Sequence, residues 1–462
     1  MKVFFLVPDG VGVRNYLYSN IIAYLIAENV EVIVGSSLPK DAFIELESIH
    51  NFELHYQKCD IYKENFISRI LRESTTFARL LHNFNKVKNK TILTNWNYKP
   101  KSFKQIVLLK IAQFVGKWAS RKYSRILFFE EKGKAYWNKK SVQEATDILT
   151  ELKPNKIFIT HQRVAGLMPY CIAAKRLGIE VISVIYSWDN LPKARLAVEA
   201  DKYLVWSDYM KQEMQLYYPE ITPEKVIVTG TPQFEFYLQK DRVLEREVFA
   251  EQYSLDITKK WICFSGDDVK TSPYDPQYLE DLAIAVSQLE IDIRPQILFR
   301  RCPVDFSGRY DAVIAKYSSV IKTIDPLWNT PQSGKNWGSV FPQYEDINLQ
   351  VNMAFHCELV INLGSTMAHD FAMFNKPCLY INYDTILDKD WSVKTIYNYQ
   401  HFKSMSNLDA VGWLNSKEEI KYKLEKTLFQ PELIGKDKAK WLERINLVPV
   451  NEASKNIANQ LK

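Results

Sequence analysis

The chain contains the sequence LVINLGSTMAHD at residues 359–370, and this stretch carries the pattern that decides the fold. Its first five residues are apolar except for one asparagine. Glycine, serine and threonine then lead into a helical pattern at 367–374. A short apolar run that ends in a turn and a helix is typical of a buried strand in a parallel sheet. The same strand–turn–helix unit recurs along most of the chain.

Apolar runs predict two series of strands, and helical stretches separate most of them. The first series comprises Val3–Val7, Val30–Val34, Lys156–Thr160, Val181–Ile185, Tyr203–Trp206 and Val226–Thr229. The second series comprises Trp261–Ser265, Gln296–Phe299, Leu359–Leu363 and Cys378–Ile381. This alternation predicts an α/β protein with two Rossmann-like, doubly wound domains.

The polar stretch 239–260 separates the two strand series. We therefore expect an N-terminal domain over 1–238 and a C-terminal domain over 260–440. A last helix within 441–462 is expected to pack back on the N-terminal domain. Ligands of such sheets bind beyond the carboxyl ends of the strands, so we expect the site in a cleft between two facing domains.

The composition is that of a globular protein and excludes disordered and fibrous classes: 47% of the 462 residues are hydrophobic and 25% are charged. Six cysteines without a C-x-x-C pair indicate a reducing compartment, with neither a disulfide framework nor a zinc motif. Pro8 ends the first apolar run too early for an export signal, and no apolar run reaches about 20 residues. These features predict a cytoplasmic location.

One segment is strongly basic. Lys86–Lys140 holds fifteen Lys/Arg and two acidic residues, an excess of +13, so the rest of the chain carries −7 of the net +6. Such a block on an otherwise acidic chain predicts an anionic partner. No nucleic-acid recognition motif accompanies it, so nucleic acid is not expected.

Within this block, the stretch 101–122 predicts an amphipathic helix. One face carries Phe103, Val107, Ile111, Phe114 and Trp118, and the basic residues beside it are Lys104, Lys110, Lys117, Arg121 and Lys122. An apolar stripe with basic flanks suits a helix that lies on anionic lipid, which predicts peripheral binding to the inner face of a membrane. A helix that faces the core fits the same pattern.

Polar residues follow several predicted strands of the N-terminal domain. The first strand leads into Asp9, Gly10, Gly12 and Arg14, where two glycines let the backbone approach a ligand, although the dinucleotide fingerprint is incomplete. A tight turn explains the same residues. His161 follows the third predicted strand and is a candidate general base, because an imidazole titrates at about pH 6.5.

Asp9 is the second candidate base of this domain. A structural role is the alternative for His161. Asp189 and Asn190 follow the fourth predicted strand and are expected either to line an acceptor pocket or to form a turn.

In the C-terminal domain, three strand ends carry residues suited to phosphate. Gly266 is followed by Asp267 and Asp268, which either cap a helix or bind a cation. Arg300 and Arg301 suit phosphate oxygens, with a surface ion pair as the alternative. Gly364, Ser365 and Thr366 offer a turn and two hydroxyls to a phosphate, and Asp370 one turn later can reach a ribose diol.

Two stretches resemble glycosyltransferases of the GT-B fold, which have two facing Rossmann-like domains. One runs from Val205 to Phe234 and includes the sequence TGTPQF at 229–234. The other runs from Leu363 to Pro377 and is similar to the donor-nucleotide segment of bacterial GT-B enzymes, including the CDP-glycerol glycerophosphotransferase group. The resemblance implies that Ser365 and Thr366 bind the diphosphate and Asp370 the ribose, with Arg300 or Arg301 assisting.

The resemblance implies a metal-independent, inverting glycosyltransferase that takes a nucleotide sugar as substrate and needs no cofactor. Inversion is favoured because the E-x7-E pair of retaining enzymes is not evident in the donor segment. The expected acceptor is a glycan or a lipid-linked precursor in cell-surface polysaccharide assembly. A CDP-polyol phosphotransferase and a non-catalytic partner that binds nucleotide sugar or lipid remain the alternatives.

Overall fold

Two parallel sheets organise the chain in a computed structural model that describes residues 1–96, 98–330 and 338–462. Each sheet belongs to its own compact unit. The first unit comprises Met1–Thr231 with Asn398–Lys403 and Ile445–Lys462, and the second comprises Pro232–Tyr397 with Ser404–Arg444.

The first unit contains seven strands. They are β1 (Lys2–Leu6), β2 (Glu31–Ser36), β3 (His55–Lys58), β4 (Lys156–Ile159), β5 (Glu180–Val184), β6 (Lys202–Val205) and β7 (Val226–Val228). Its helices before residue 231 are α1 (Gly10–Gly12), α2 (Ile21–Ala27), α3 (Glu45–His50), α4 (Phe66–Val87), α5 (Phe103–Ala119), α6 (Tyr123–Ala135), α7 (Lys139–Leu152), α8 (Met168–Leu177) and α9 (Asp208–Tyr217). The strands are parallel in the order β3-β2-β1-β4-β5-β6-β7.

The second unit contains a six-stranded parallel sheet and a short antiparallel pair. Its strands are β8 (Trp261–Ser265), β9 (Gln296–Arg300), β10 (Ile321–Thr323), β11 (Trp328–Asn329), β12 (Phe341–Pro342), β13 (Val360–Asn362), β14 (Cys378–Ile381) and β15 (Gly412–Leu414). Its helices are α10 (Arg246–Tyr253), α11 (Asp275–Ser287), α12 (Asp311–Lys316), α13 (Glu345–His356), α14 (Met367–Ala372), α15 (Val393–Tyr397), α16 (Ile420–Phe429) and α17 (Lys438–Ile445). The sheet order is β10-β9-β8-β13-β14-β15.

Both sheets are doubly wound, which confirms the predicted fold class. In each sheet the chain starts in the middle, builds one side and then returns to build the other. The central strands are apolar on both faces; β1 and β8, for example, are almost wholly buried because helices cover both sides. The switch point lies between β1 and β4 in the first sheet and between β8 and β13 in the second.

The last helix, α18 (Ala453–Leu461), belongs to the first unit and packs against α2. Ile457 and Leu461 are fully buried there. The Lys156 ammonium donates to the carbonyl oxygens of Gln460 at 2.9 Å and Lys462 at 2.7 Å. In the sequence, the segment that completes the first unit therefore follows the second unit.

The basic segment Lys86–Lys140 contains α5 and α6, together with the end of α4 and the start of α7. Helices α4, α5 and α6 pack together in the first unit. Ala78, Ala119 and Ile126, one from each helix, form a buried cluster. The face of α5 that packs inward is built from Leu108, Leu109, Ala112, Gly116 and Ala119. The predicted stripe lies on the other face: Phe103 is 78% exposed and Phe114 80%. The core-facing interpretation of this stripe is therefore wrong.

Within the described parts of the chain, the helices fall short of the length and apolar character needed to cross a membrane.

Candidate functional site

The carboxyl ends of β1, β4 and β5 meet at the switch point of the first sheet. In doubly wound sheets this edge is where ligands bind, because the loops on either side diverge and leave a crevice. Asp9 follows β1, His161 follows β4, and Tyr186 follows β5. These three residues form the centre of the candidate site.

Asp9 is fixed by the short helix α1, which it caps. Its backbone is extended and its Oδ1 accepts a hydrogen bond from the amide of Gly12 at 3.0 Å, as is typical of an N-cap aspartate. Gly12 packs against the end of β4: a Cβ added there would lie 2.5 Å from Oγ1 of Thr160. Glycine at this position thus lets the β1 turn approach the residue that precedes His161.

Asp9 and His161 form a hydrogen-bonded pair. Nδ1 of His161 lies 2.6 Å from Oδ2 of Asp9, and both side chains are mostly buried. An ionised carboxylate can only accept, so Nδ1 carries the proton, and in the neutral imidazole Nε2 presents a lone pair. Nε2 is buried and has no hydrogen-bond partner among the described residues. An oriented imidazole with a free lone pair is the arrangement of a general base.

The ring of Tyr186 holds this imidazole from one side. The two rings are stacked with centroids 3.8 Å apart and an interplanar angle of 9°. Burial, and then the negative charge of Asp9, raise the pKa of the Tyr186 phenol well above its ordinary value. Tyr186 is therefore neutral at physiological pH and acts on His161 by stacking.

Gln162 connects this site to the loop that follows β5. Its Oε1 accepts from the amide of Tyr186 at 2.9 Å, and its Nε2 donates to Oδ1 of Asn190 at 3.1 Å. Asn190 in turn donates to Oδ1 of Asp189 at 2.7 Å. Asn190 is thus a structural link beside the site.

Asp189 forms an ion pair with Lys193. Burial tends to raise the pKa of Asp189, but the charges of Lys193 and His401 outweigh it and hold that pKa below its usual range. Asp189 is therefore ionised and already compensated. Arg14 is half-buried in the turn after α1 and donates to Oδ1 of Asn15 at 3.2 Å.

In the second unit, Gly364, Ser365 and Thr366 lie at the switch point, between the end of β13 and the start of α14. Gly364 has a φ of 71°, which only glycine adopts at low cost. The amide of Ser365 donates to Oδ1 of Asn362 at 2.9 Å. Thr366 occupies the N-cap position of α14 without a side-chain cap bond and is partly exposed. Its hydroxyl is available to a ligand.

Asp370 and the two arginines have partners within the protein. Asp370 is buried, and its Oδ2 accepts from Nε2 of Gln350 at 3.1 Å. Nη2 of Arg300 donates to both carboxylate oxygens of Asp346 at 2.8 and 2.9 Å. Arg301 pairs with Asp325 at 2.6 Å, which is the surface ion pair that was the alternative. All three side chains are thus hydrogen-bonded or ion-paired within the protein.

One nitrogen atom of Arg300 makes no hydrogen bond to the described residues. Nη1 of Arg300 is buried and has no hydrogen-bond partner in the described ranges. Gly266 faces the protein as well, because a Cβ there would lie 2.7 Å from the Tyr310 hydroxyl. Asp268 accepts from the Thr271 hydroxyl at 2.8 Å and so stabilises a turn before α11.

One buried carboxyl group near the first site carried no sequence signal. Glu213 on α9 is 5% exposed, and neither of its carboxylate oxygens has a hydrogen-bond partner within the described structure. Burial, and then the charge of Asp189, raise the pKa of Glu213 to about 8. Polar residues at helical spacing look like a solvated face, so their burial could be seen only in the folded chain.

The sequence matches no family model and no curated protein. Solved structures do match it over the whole chain. The S. aureus MnaA–UDP co-structure is 13% identical with a TM-score of 0.55, covering 100% of this chain and 96% of that one. UDP-GlcNAc 2-epimerase from Neisseria meningitidis, bound to UDP-GlcNAc, is 12% identical with a TM-score of 0.51, covering 100% and 99%.

A glycosyltransferase from Rickettsia africae ESF-5 is 10% identical with a TM-score of 0.52, covering 100% of this chain and 98% of that one. Identities this low establish the fold alone. The chain has the GT-B-like fold that the resemblance implied. The narrower likeness to the CDP-glycerol glycerophosphotransferase group is not supported.

Proposed function

We propose that the protein is an inverting glycosyltransferase that transfers a sugar from a nucleotide sugar to an acceptor hydroxyl. The Asp9–His161 pair carries this proposal. Nδ1 of His161 lies 2.6 Å from Oδ2 of Asp9, and Nε2 of His161 has no hydrogen-bond partner among the described residues. Inverting transfer requires one such base to take the acceptor proton as the oxygen attacks the anomeric carbon.

In the proposed reaction, the acceptor hydroxyl gives its proton to Nε2 of His161 while its oxygen bonds to the anomeric carbon. The bond from that carbon to the diphosphate oxygen breaks, and the nucleoside diphosphate leaves. Asp9 stabilises the imidazolium that forms, as a carboxylate does when it orients a catalytic histidine. Arg14, Asp189 and Asn190 are assigned to the acceptor side.

The nucleotide is assigned to the second unit. Gly364, Ser365 and Thr366 offer partly exposed backbone and hydroxyl groups at its switch point, and Nη1 of Arg300 is an unused buried donor within the described residues. UDP or a UDP-sugar is bound in two of the similar structures, which supports a UDP-sugar as the donor. Asp370 would need to exchange its bond to Gln350 before it could bind a ribose.

We further propose that the first unit docks on an anionic membrane through α5. Phe103 and Phe114 are exposed on its outer face, and lysines flank them. A lipid surface of negative charge satisfies both features, since apolar rings enter the acyl boundary while lysines contact headgroups. This orientation would bring a lipid-linked acceptor to the unit that carries the proposed base.

A UDP-sugar 2-epimerase is the second candidate, because several similar structures bear that name. An epimerase acts on the nucleotide sugar alone, whereas a glycosyltransferase needs an acceptor. The test incubates purified protein with UDP-GlcNAc, with and without a membrane lipid extract, and analyses nucleotides and sugars by mass spectrometry and NMR. UDP release that depends on the extract, with a glycosylated product, supports the transferase. Inversion at C2 without extract establishes the epimerase instead.

A further inference from the structure

A pocket of about 420 Å³ is lined by residues of the first unit. Its walls come from α4, α6, the loop after β4 and the segment 194–200. Its volume falls in the range of small-molecule sites, which is about 300–1,000 Å³. Nothing in the proposed reaction has so far used it.

Two of the arginines that line the pocket are neutralised by neighbouring carboxylates. Arg79 donates to both oxygens of Glu130, at 2.5 and 2.7 Å, and to Glu220 at 2.5 Å. Arg72 binds both oxygens of Glu64 at 2.6 and 2.8 Å. These pairs are bidentate, so their charges are largely cancelled within the wall.

Two further arginines lack such compensation. Arg163 makes neither an ion pair nor a hydrogen bond within the described residues, and its Nε is buried. Arg195 comes only within 4.0 Å of a carboxylate oxygen of Glu73. Burial lowers the pKa of Arg195; the Glu73 carboxylate opposes this shift, and the positive charges of Arg72 and Arg163 add to it. Guanidinium groups that lie close together and away from water are stabilised when an anion pairs with them.

The rest of the wall indicates what the anion is attached to. Leu127, Trp137 and Met168 supply an apolar surface, and the Ser68 hydroxyl is a buried donor with no hydrogen-bond partner in the described parts of the chain. A bare phosphate ion fills only a small part of such a space. The pocket is therefore suited to a phosphate that carries an apolar or amphiphilic group.

The loop that carries His161 also contributes Arg163 to the pocket wall. Arg163 follows His161 by two residues, and its charge acts on the phenol of Tyr186, whose ring stacks on His161. The residue proposed to hold the ligand and the proposed base therefore lie on the same loop. We propose that this pocket binds the phosphate of an amphiphilic phosphate ester through Arg163 and Arg195. That this ligand is the sugar acceptor rests on the proposed function, whereas its binding does not.

Isothermal titration calorimetry of the 462-residue protein with octyl phosphate, in the absence of nucleotide, tests the proposal. Octyl glucoside is the neutral control, and inorganic phosphate separates an ester from the free ion. We expect saturable binding of octyl phosphate that is at least about tenfold tighter than that of either control. Arg163→Gln and Arg195→Gln should each weaken it about tenfold or more, since each removes a charge-assisted contact.

Arg163→Lys keeps the charge and should retain part of the affinity, which separates loss of charge from loss of folding. Arg176→Gln, an exposed arginine of α8, should bind as the wild type does. The proposal is overturned if the double variant Arg163→Gln/Arg195→Gln binds octyl phosphate normally, or if either control binds as tightly. Binding without glycosyl transfer would refute the proposed function alone. Transfer without binding would refute this site alone.

Discussion

The carboxyl ends of the two sheets use their polar side chains differently. At the first switch point, His161 presents a lone pair, and the Arg163 guanidinium close by has no carboxylate among the described residues. At the second, Arg300 binds Asp346, Arg301 binds Asp325 and Asp370 accepts from Gln350. The polar groups of the second edge mainly hold one another in place.

This difference indicates a division of labour. A side chain with an unused lone pair or charge is costly to bury, so it persists where chemistry or ligand binding compensates that cost. A side chain paired within the protein supports a loop instead. We therefore expect substitutions at the first edge to affect turnover. Substitutions at the second edge should affect the affinity for nucleotide.

The largest effect is expected at the Asp9–His161 pair. His161→Ala removes the proposed base and should lower kcat by about 10²–10⁴-fold, while nucleotide affinity changes little. Asp9→Asn should lower kcat in the same direction because the imidazolium loses its counter-charge. His55→Ala, at an exposed histidine of β3, is the matched control. Near-normal turnover in both variants would remove the functional distinction between the two edges.

Membrane binding should come next. The double variant Phe103→Ser/Phe114→Ser removes two exposed rings from α5, and each ring contributes about 1.5–3 kcal/mol when buried. We expect its affinity for vesicles rich in anionic phospholipid to fall by about 100-fold or more in a co-sedimentation assay.

Leu387→Ser/Phe429→Ser is the matched control, since it removes two exposed apolar side chains from the second unit. Its vesicle binding should equal that of the wild type. Equal losses in both double variants would show that membrane contact is not specific to the first unit.

A smaller effect is expected at the second edge. Ser365→Ala/Thr366→Ala should weaken UDP binding about tenfold, because two neutral hydroxyl contacts to phosphate are lost. A thermal shift with UDP measures this, since a ligand of the folded state raises its stability. Ser318→Ala/Ser319→Ala, two exposed serines of the same unit, should leave the shift unchanged. An unaltered shift in the first variant would place the nucleotide elsewhere.

The smallest effect concerns the stability of the first unit. The pKa of Glu213 is about 8 in the folded chain against an ordinary value of 4.5. Between these values the folded state holds a proton that the unfolded state has released, so the free energy of unfolding falls as pH rises. Glu213→Gln should reduce this fall and raise the melting temperature at pH 8 by a few degrees.

Glu251→Gln, at an exposed glutamate of α10, is the control and should not change the pH dependence. If the melting curves of Glu213→Gln followed those of the wild type from pH 5 to 9, burial would not raise the pKa of Glu213 in solution, and the prediction would be wrong.

The buried central strands and the edge strand β7 could be predicted from the sequence, whereas the edge strands β3, β10 and β15 could not. Trp261–Ser265 and Cys378–Ile381 were predicted with the bounds that the structure has, because their residues are buried on both faces. The edge strand His55–Lys58 was missed, since its half-exposed polar residues lack an apolar run. The strands Ile321–Thr323 and Gly412–Leu414 are too short to show a recognisable apolar pattern.

For the candidate site, the sequence indicated strand ends but not partners. Asp9 and His161 were separate candidates, and their pairing depends on which strands are neighbours, a long-range property of the fold. The pairing of Arg300 with Asp346 on a distant helix was hidden for the same reason. Arg163 gained its significance only from the absence of a nearby carboxylate among the described residues.

The attachment of α18 to α2 has a consequence for synthesis on the ribosome. Residues 232–444 intervene between the main part of the first unit and the segment that completes it. At about 5–20 residues per second, their translation takes roughly 10–40 s. During that interval the apolar surface that Ile457 and Leu461 will cover has no partner. The nascent first unit is then a substrate for chaperones, and slow translation of the second unit would lengthen that exposure.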